Sequence, residues 1–194
     1  SLTYGRLARL RKTVGYSGTT DPNPDAAAPE NDGVFLMDLR TGKTTLVVSI
    51  AEVYERLLPE NPQLAGRHMW FNHTVFNRSD TRFFFLARAN LADGLRKTAM
   101  FTANVDGSEL REVVAFDRRV SHFDWRGDKQ IIATFKMGGS HKHVLFTDGK
   151  NDYKVIGAGF LDFDGHCTFA PDGNWLATDR KFGDKLKQSL LIYN

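Results

Sequence analysis

Three histidines in this chain of 194 residues head the same short phrase. His73-Thr-Val-Phe76, His122-Phe-Asp-Trp125 and His166-Cys-Thr-Phe169 each place an aromatic residue three positions after the histidine. Each then runs through a turn carrying Asp80, Asp128 or Asp172 into a second apolar run at Phe83–Phe85, Ile131–Ile132 or Trp175–Leu176. Imidazole carries protons near neutral pH and ligates metals. A histidine repeated at one position of successive structural units therefore offers two kinds of chemistry, acid–base work or convergence on a cation. The competing role is mechanical: each ring bonds the backbone of a neighbouring unit and ties the repeats together.

The densest polar stretch surrounds the first of these histidines, with Arg67, His68, Asn72, His73, Asn77 and Arg78 close together. Arg grips a carboxylate through two parallel bonds, and Asn offers both donors and an acceptor to hydroxyl groups. Trp70 has a ring that would stack on a sugar face or pack between structural units. Arg118 and Arg119, just before the His122 phrase, suit an anionic ligand or a solvated turn. His141 and His143 point to one side of a strand, but Gly138-Gly-Ser140 beside them suggests an exposed hairpin. Asp162 and Asp164 before Gly165 resemble a fragment of a Ca²⁺ loop and, without further ligands, amount to a turn.

These residues need a scaffold that repeats. The phrases start 49 and 44 residues apart with short apolar runs and turns between them, which is the repeat of a four-stranded propeller blade. The fold class expected is all-β: about three and a half four-stranded β-propeller blades, with units at about 1–62, 63–117, 118–160 and an incomplete 161–194. Tyr4 to Leu10 reads as a strand, and Thr13 to Asp32, rich in Gly, Pro and Asp, as a long loop. Val34–Leu39 and Thr44–Ser49 form a hairpin about Arg40-Thr-Gly-Lys43. Ala51 to Leu58 has helical apolar spacing and is closed by Pro59. The second unit places strands at His73–Asn77, Arg82–Arg88, Ala99–Asn104 and Arg111–Ala115. The third places them at His122–Arg126, Gln130–Phe135, His143–Thr147 and Tyr153–Ile156. The fourth has His166–Ala170, Asn174–Thr178 and Ser189–Tyr193. Because a propeller removes its sheet edges by closing a ring, missing blades are expected from the rest of a longer chain or from an oligomer partner.

Ser121-His-Phe-Asp-Trp125, the run from Asp164 to Asp179 and the run from Ala27 to Asp38 resemble the propeller polysaccharide lyases of the oligogalacturonate lyase and ulvan lyase group. The likeness extends from about Tyr4 to the last residue; its short pieces are shared with TolB-type propellers. The resemblance implies β-elimination at a uronic acid of an anionic oligosaccharide. It also implies a divalent metal near the channel, held by His122, His166 and Cys167, with a further histidine in the next blade. Imidazole with thiolate suits Zn²⁺, and added carboxylate and water suit Mn²⁺; a small buried side chain is the other role open to Cys167. Such a lyase needs a base for the C5 proton, a group that neutralises the uronate and an acid for the leaving O4. His73 is the candidate base or acid, with His68 beside it. Arg67, Arg78, Arg118 and Arg119 are candidates for the carboxylate, Asn72 and Asn77 for hydroxyls, and Trp70 for a sugar ring. The group pairs Tyr with His, and that role falls to Tyr4, Tyr16 or a part of the chain not present.

Composition sets the outer limits. The chain holds 15 Phe, enough to build a core, and a net charge of +3 with its basic residues dispersed, so nucleic acid is not expected. No apolar run approaches the roughly 20 residues of a membrane span, and the Arg-rich start is unlike a signal peptide. The single cysteine excludes an internal disulfide, and periplasm and cytoplasm remain open as compartments. There is no G-x-S-x-G, phosphate-binding Gly loop or paired-cysteine zinc pattern. The competing functional class is a non-catalytic propeller that binds a glycan or a protein.

Overall fold

The computed structural model describes residues 2–11, 18–181 and 187–194. Its thirteen described strands lie in separate antiparallel sheets, and the described residues are all-β apart from two short α-helices and one 3-10 turn. Two compact units are present, Ser1–Thr74 with Phe83–Asp117 and Val75–Arg82 with Arg118–Asn194.

The first unit corrects the reading of Tyr4–Leu10 as a strand. Helix α1 (Tyr4–Arg11) forms there instead and buries Gly5, Arg6 and Leu7. Ala, Leu and Arg are strong helix formers, and two leucines in so short a run cannot distinguish a period of two from one of 3.6. Arg6 is 1% exposed and gathers the Pro-rich loop that follows. Its guanidinium donates to Met69 O at 2.7 Å, Asn23 O at 3.2 Å, Ala26 O at 3.0 Å and Ala27 O at 2.8 Å, and lies 3.6 Å from the buried Asp21 carboxylate. Gly5 is required where helix and loop meet, because a Cβ there would sit 2.0 Å from Thr20 O.

Strands β1 (Gly33–Met37) and β2 (Thr44–Ser49) form the expected hairpin, with a shift of register between Val34 and Phe35 that leaves Val47 as the extra residue. Helix α2 (Ile50–Leu57) follows at once. The Ser49 hydroxyl caps it by accepting from Glu52 N at 3.0 Å, and Ile50, Val53 and Leu57 face the core. Strands β3 (Met69–Phe76), β4 (Arg82–Asn90), β5 (Arg96–Asn104) and β6 (Arg111–Arg118) make a sheet in chain order. The two central strands are buried on both faces, which explains the near-continuous apolar runs of Phe83–Ala87 and Ala99–Ala103. Phe71, Phe85 and Phe101 stack through the middle, with Phe71 and Phe85 4.6 Å apart at their centroids. The turn between β5 and β6 brings Gly107 against β2 so closely that a Cβ would meet Val47 O at 1.9 Å.

The second unit holds β7 (Phe123–Arg126), β8 (Gln130–Met137), β9 (Ser140–Thr147) and β10 (Tyr153–Ile156) as a second four-stranded meander. Beside it lie β11 (Cys167–Phe169), β12 (Leu176–Lys181) and β13 (Gln188–Tyr193). Ile132, Leu145, Leu161, Cys167, Phe169 and Leu176 form an apolar cluster of this unit. The Val75–Arg82 segment is fastened to it by Trp125 Nε1, which donates to Val75 O at 3.0 Å, and by Ser79 N, which donates to Asp128 Oδ1 at 2.7 Å. No described helix is long and apolar enough to cross a membrane.

Replacing Ser49 by Ala removes the cap of α2 and is expected to cost about 1 kcal/mol. Phe85→Ala opens the centre of the aromatic stack and is expected to cost about 3–5 kcal/mol. Urea unfolding of the two variants checks both, and the reverse order of severity would contradict this placement of the core.

Candidate functional site

Two of the three repeated histidines meet. The rings of His122 and His166 lie 3.8 Å apart at their centroids, inclined at 51°. Each is held through Nδ1 by a carboxylate: His122 by Asp164 at 3.1 Å, His166 by Asp179 at 3.0 Å. Both come into position at the entry to a first strand, His122 just before β7 and His166 just before β11. The two repeats use the same backbone device, since His122 N donates to Thr134 Oγ1 at 3.1 Å and His166 N to Asp179 Oδ1 at 2.5 Å. Thr134 on β8 and Asp179 on β12 thus do the same job on the neighbouring strand.

Asp164 is the hub. It accepts from Ser121 Oγ at 2.8 Å and Thr134 Oγ1 at 2.8 Å as well as from His122. Burial pushes its carboxyl up, but the three hydrogen bonds outweigh burial and hold it below the usual carboxylate range. Asp179 is held low in the same way, the hydrogen bonds from His166 outweighing partial burial. An ionised carboxylate on Nδ1 fixes the tautomer and orientation of an imidazole and makes Nε2 the basic nitrogen, the arrangement found behind metal-ligating and proton-transferring histidines. Ser121 Oγ lies on the same nitrogen as the carboxylate, 3.2 Å from His122 Nδ1, so the group is not a nucleophilic triad, in which the hydroxyl would meet the other nitrogen.

Beneath the pair, the structure corrects the expectation that His143 is exposed with its hairpin. His143 has no exposed surface, and its ring nitrogens contact Leu161 O and Thr178 Oγ1, each at 3.0 Å. Burial keeps its imidazole below the ordinary range, so it is neutral at physiological pH. The Gly138-Gly139 turn is exposed, but β9 runs back from it through the interior. Lys142 pairs with Asp162. Gly165, between Asp164 and His166, must lack a side chain: a Cβ would lie 2.0 Å from Asp179 O and 2.7 Å from Thr178 Oγ1.

Cys167 lies in the apolar cluster, 5% exposed, and burial pushes its thiol well up, with Asp124 adding to the effect. A thiol of that kind supplies no thiolate at neutral pH, and its small-hydrophobe role is the one its surroundings support. Asp-backed imidazoles fit a divalent cation as partial ligands. Among the described residues no three His, Cys, Asp or Glu side chains are gathered as a ligand set.

The other candidates divide between the two units. In the second, Asn77 is buried and caps its own turn, its Oδ1 accepting from Thr81 N and Arg82 N at 2.9 and 3.1 Å. Arg78 pairs with Asp124 at 3.4 Å, and Arg118 and Arg119 are exposed. In the first, Trp70 is 1% exposed and presents no ring face to solvent. Arg67 and His68 are half-buried; Arg9 Nη2 lies 3.3 Å from His68 Nδ1, and burial together with the Arg9 and Arg6 charges holds that imidazole low. His73 is exposed on β3 with φ of 58°, a left-handed conformation that costs a non-glycine residue strain. The Asn72 carboxamide, oriented as its surroundings require, accepts from His73 Nε2 at 3.1 Å, Arg11 Nη1 at 3.0 Å and Arg88 Nη1 at 3.2 Å. Tyr16 lies outside the described residues.

Asp164 reads from sequence as part of a turn, and Ser121, Thr134, Asp179, Arg11 and Arg88 are not singled out there as site residues. Ser121 adjoins a repeated histidine and was within reach of the motif; the others meet their partners only through folding. No family model matches the chain, and no curated protein matches it.

Because the folded Asp164 carboxyl is held below its unfolded value of about 3.9, its contribution to stability is present above that pH and is lost as pH falls through the folded value. Asp164→Asn is expected to remove this part of the acid limb of a stability-versus-pH curve. A variant curve parallel to the parent's below pH 4 would contradict the assignment. Gly165→Ala is expected to destabilise the unit and to change the ring resonances of both His122 and His166 in NMR spectra; unshifted resonances would show that the loop accommodates the methyl group.

Proposed function

We propose that the chain is a β-propeller portion that cleaves a uronate-containing anionic glycan by β-elimination. The observation that carries this reading is the pair of carboxylate-backed imidazoles, His122 and His166, set at the same position of successive repeats. Four-stranded meanders in chain order, β3 to β6 and β7 to β10, are the form that propeller blades take. His122 and His166 would hold a divalent metal, Zn²⁺ or Mn²⁺, together with ligands supplied from elsewhere; such a metal draws charge from a uronate carboxylate and acidifies C5.

In the elimination, a base takes the C5 proton, the electron pair forms the C4–C5 double bond, and the C4–O4 bond breaks as O4 gains a proton. His73 is the residue proposed for one of these transfers. Its Nε2 hydrogen bond to Asn72 leaves Nδ1 as the basic nitrogen, and its exposure and strained backbone support a role beyond packing. His68 is the second candidate. The exposed Arg118 and Arg119 suit a glycan carboxylate. A second reading, a non-catalytic propeller that binds a glycan or a protein, is favoured by the burial of Trp70 and Asn77, which removes two of the expected sugar contacts.

Incubation with pectic and ulvan oligosaccharides, followed by absorbance of the unsaturated uronate, tests the lyase. Product is expected with at least one glycan. His73→Ala and His122→Ala should each lower turnover at least a hundredfold while thermal unfolding remains cooperative. Binding without product from any glycan, with metal content confirmed by elemental analysis, would establish the second reading.

A further inference from the structure

Two polar atoms buried in the first unit have no hydrogen-bond partner among the described residues, and both belong to residues that line one small cavity. Asp32, 2% exposed, accepts from the Thr3 side chain and from Gly33 N, yet its Oδ2 has no partner. Trp70, 1% exposed, has no acceptor for its Nε1. The cavity that Asp32 and Trp70 share is also lined by Arg6, Ile50 and Phe71, each at most 4% exposed, and has room for about one water molecule. Arg6 does not serve Oδ2, because its guanidinium is taken up by four carbonyl oxygens and by Asp21.

A buried polar group left without a partner is costly. The two groups here ask for opposite things, since a carboxylate oxygen needs a donor and an indole N–H needs an acceptor. A cation would serve Asp32 alone and would meet both the indole N–H and the Arg6 charge. An anion would serve Trp70 alone and would meet the carboxylate. A neutral guest that donates and accepts serves both, and the space limits it to one heavy atom. We infer that the cavity is a binding site for one ordered water molecule, which accepts from Trp70 Nε1 and donates to Asp32 Oδ2. The water joins β3 to the segment entering β1, where the Asp32 carbonyl also accepts from Ile50 N at the start of α2 at 2.8 Å. The inference rests on this cavity and is independent of the glycan and metal readings.

The test is water–protein NMR on the indole N–H resonances of the three tryptophans, with Trp70→Phe identifying the one that belongs to Trp70. A held water is expected to give the Trp70 indole proton a laboratory-frame cross-peak with the sign of the diagonal and a rotating-frame cross-peak of opposite sign. Chemical exchange would give the sign of the diagonal in both. Thr3→Val should leave these cross-peaks in place, and their loss would assign them to the Thr3 hydroxyl. Asp32→Leu fills the cavity and should abolish them, whereas their survival in a folded Asp32→Leu protein would overturn the inference. Should that variant fail to fold, the parent spectrum and Thr3→Val still decide: exchange peaks alone, or none, would also overturn it. A Tm higher in potassium or ammonium chloride than in tetramethylammonium chloride at equal ionic strength would place a cation at Asp32 instead of water.

Discussion

The second unit depends on a carboxylate kept ionised in a half-buried place. Asp164 would be driven toward its neutral form by burial alone, and a neutral acid would hold an imidazole weakly. Ser121, His122 and Thr134 prevent this by donating to it from the approach to β7 and from β8, while Asp164 itself belongs to the loop entering β11. One side chain therefore fixes the His122 ring and joins the two sheets of the unit. His143 completes the arrangement as a neutral strut, bonded between Leu161 and Thr178. The ionised group stands partly exposed above, and the uncharged one is sealed below.

The first unit handles buried charge differently. Arg6 spends its hydrogen-bonding capacity on the backbone of the Pro-rich loop and β3, and so turns a segment without regular structure into part of the core boundary. Helix α1 is too short to persist alone. Its conformation is set by that guanidinium and by Leu7, which explains why local sequence was a poor guide to it.

The strands were legible because their signals are local. Alternation, apolar runs and turns such as Asp106-Gly107 and Gly138-Gly139 mark them without reference to the rest of the chain, and α2 announces itself by its apolar face and Pro59. The repeat also grouped His73, His122 and His166, of which the last two meet. Their carboxylates were hidden because the repeats are not copies: Thr134 stands where Asp179 does in the next sheet, so no motif carries both. Cys167 follows a site histidine in sequence, yet it faces the apolar cluster. Asn77 and Trp70 look like ligand contacts by composition, whereas one is consumed by its own turn and the other by the core. Arg88 lies within an apolar run, and only the folded structure brings Arg11 and Arg96 near it.

Val47, the extra residue of β2, has no cross-strand partner on β1, and its carbonyl occupies the space left by the missing side chain of Gly107. Were β2 to slide by one position, a different backbone group would be offered to that gap and every side chain of the strand would change face. The glycine therefore works as a gauge, accepting the hairpin in one alignment, and a bulge that weakens the ladder locally becomes the tooth by which the hairpin is indexed.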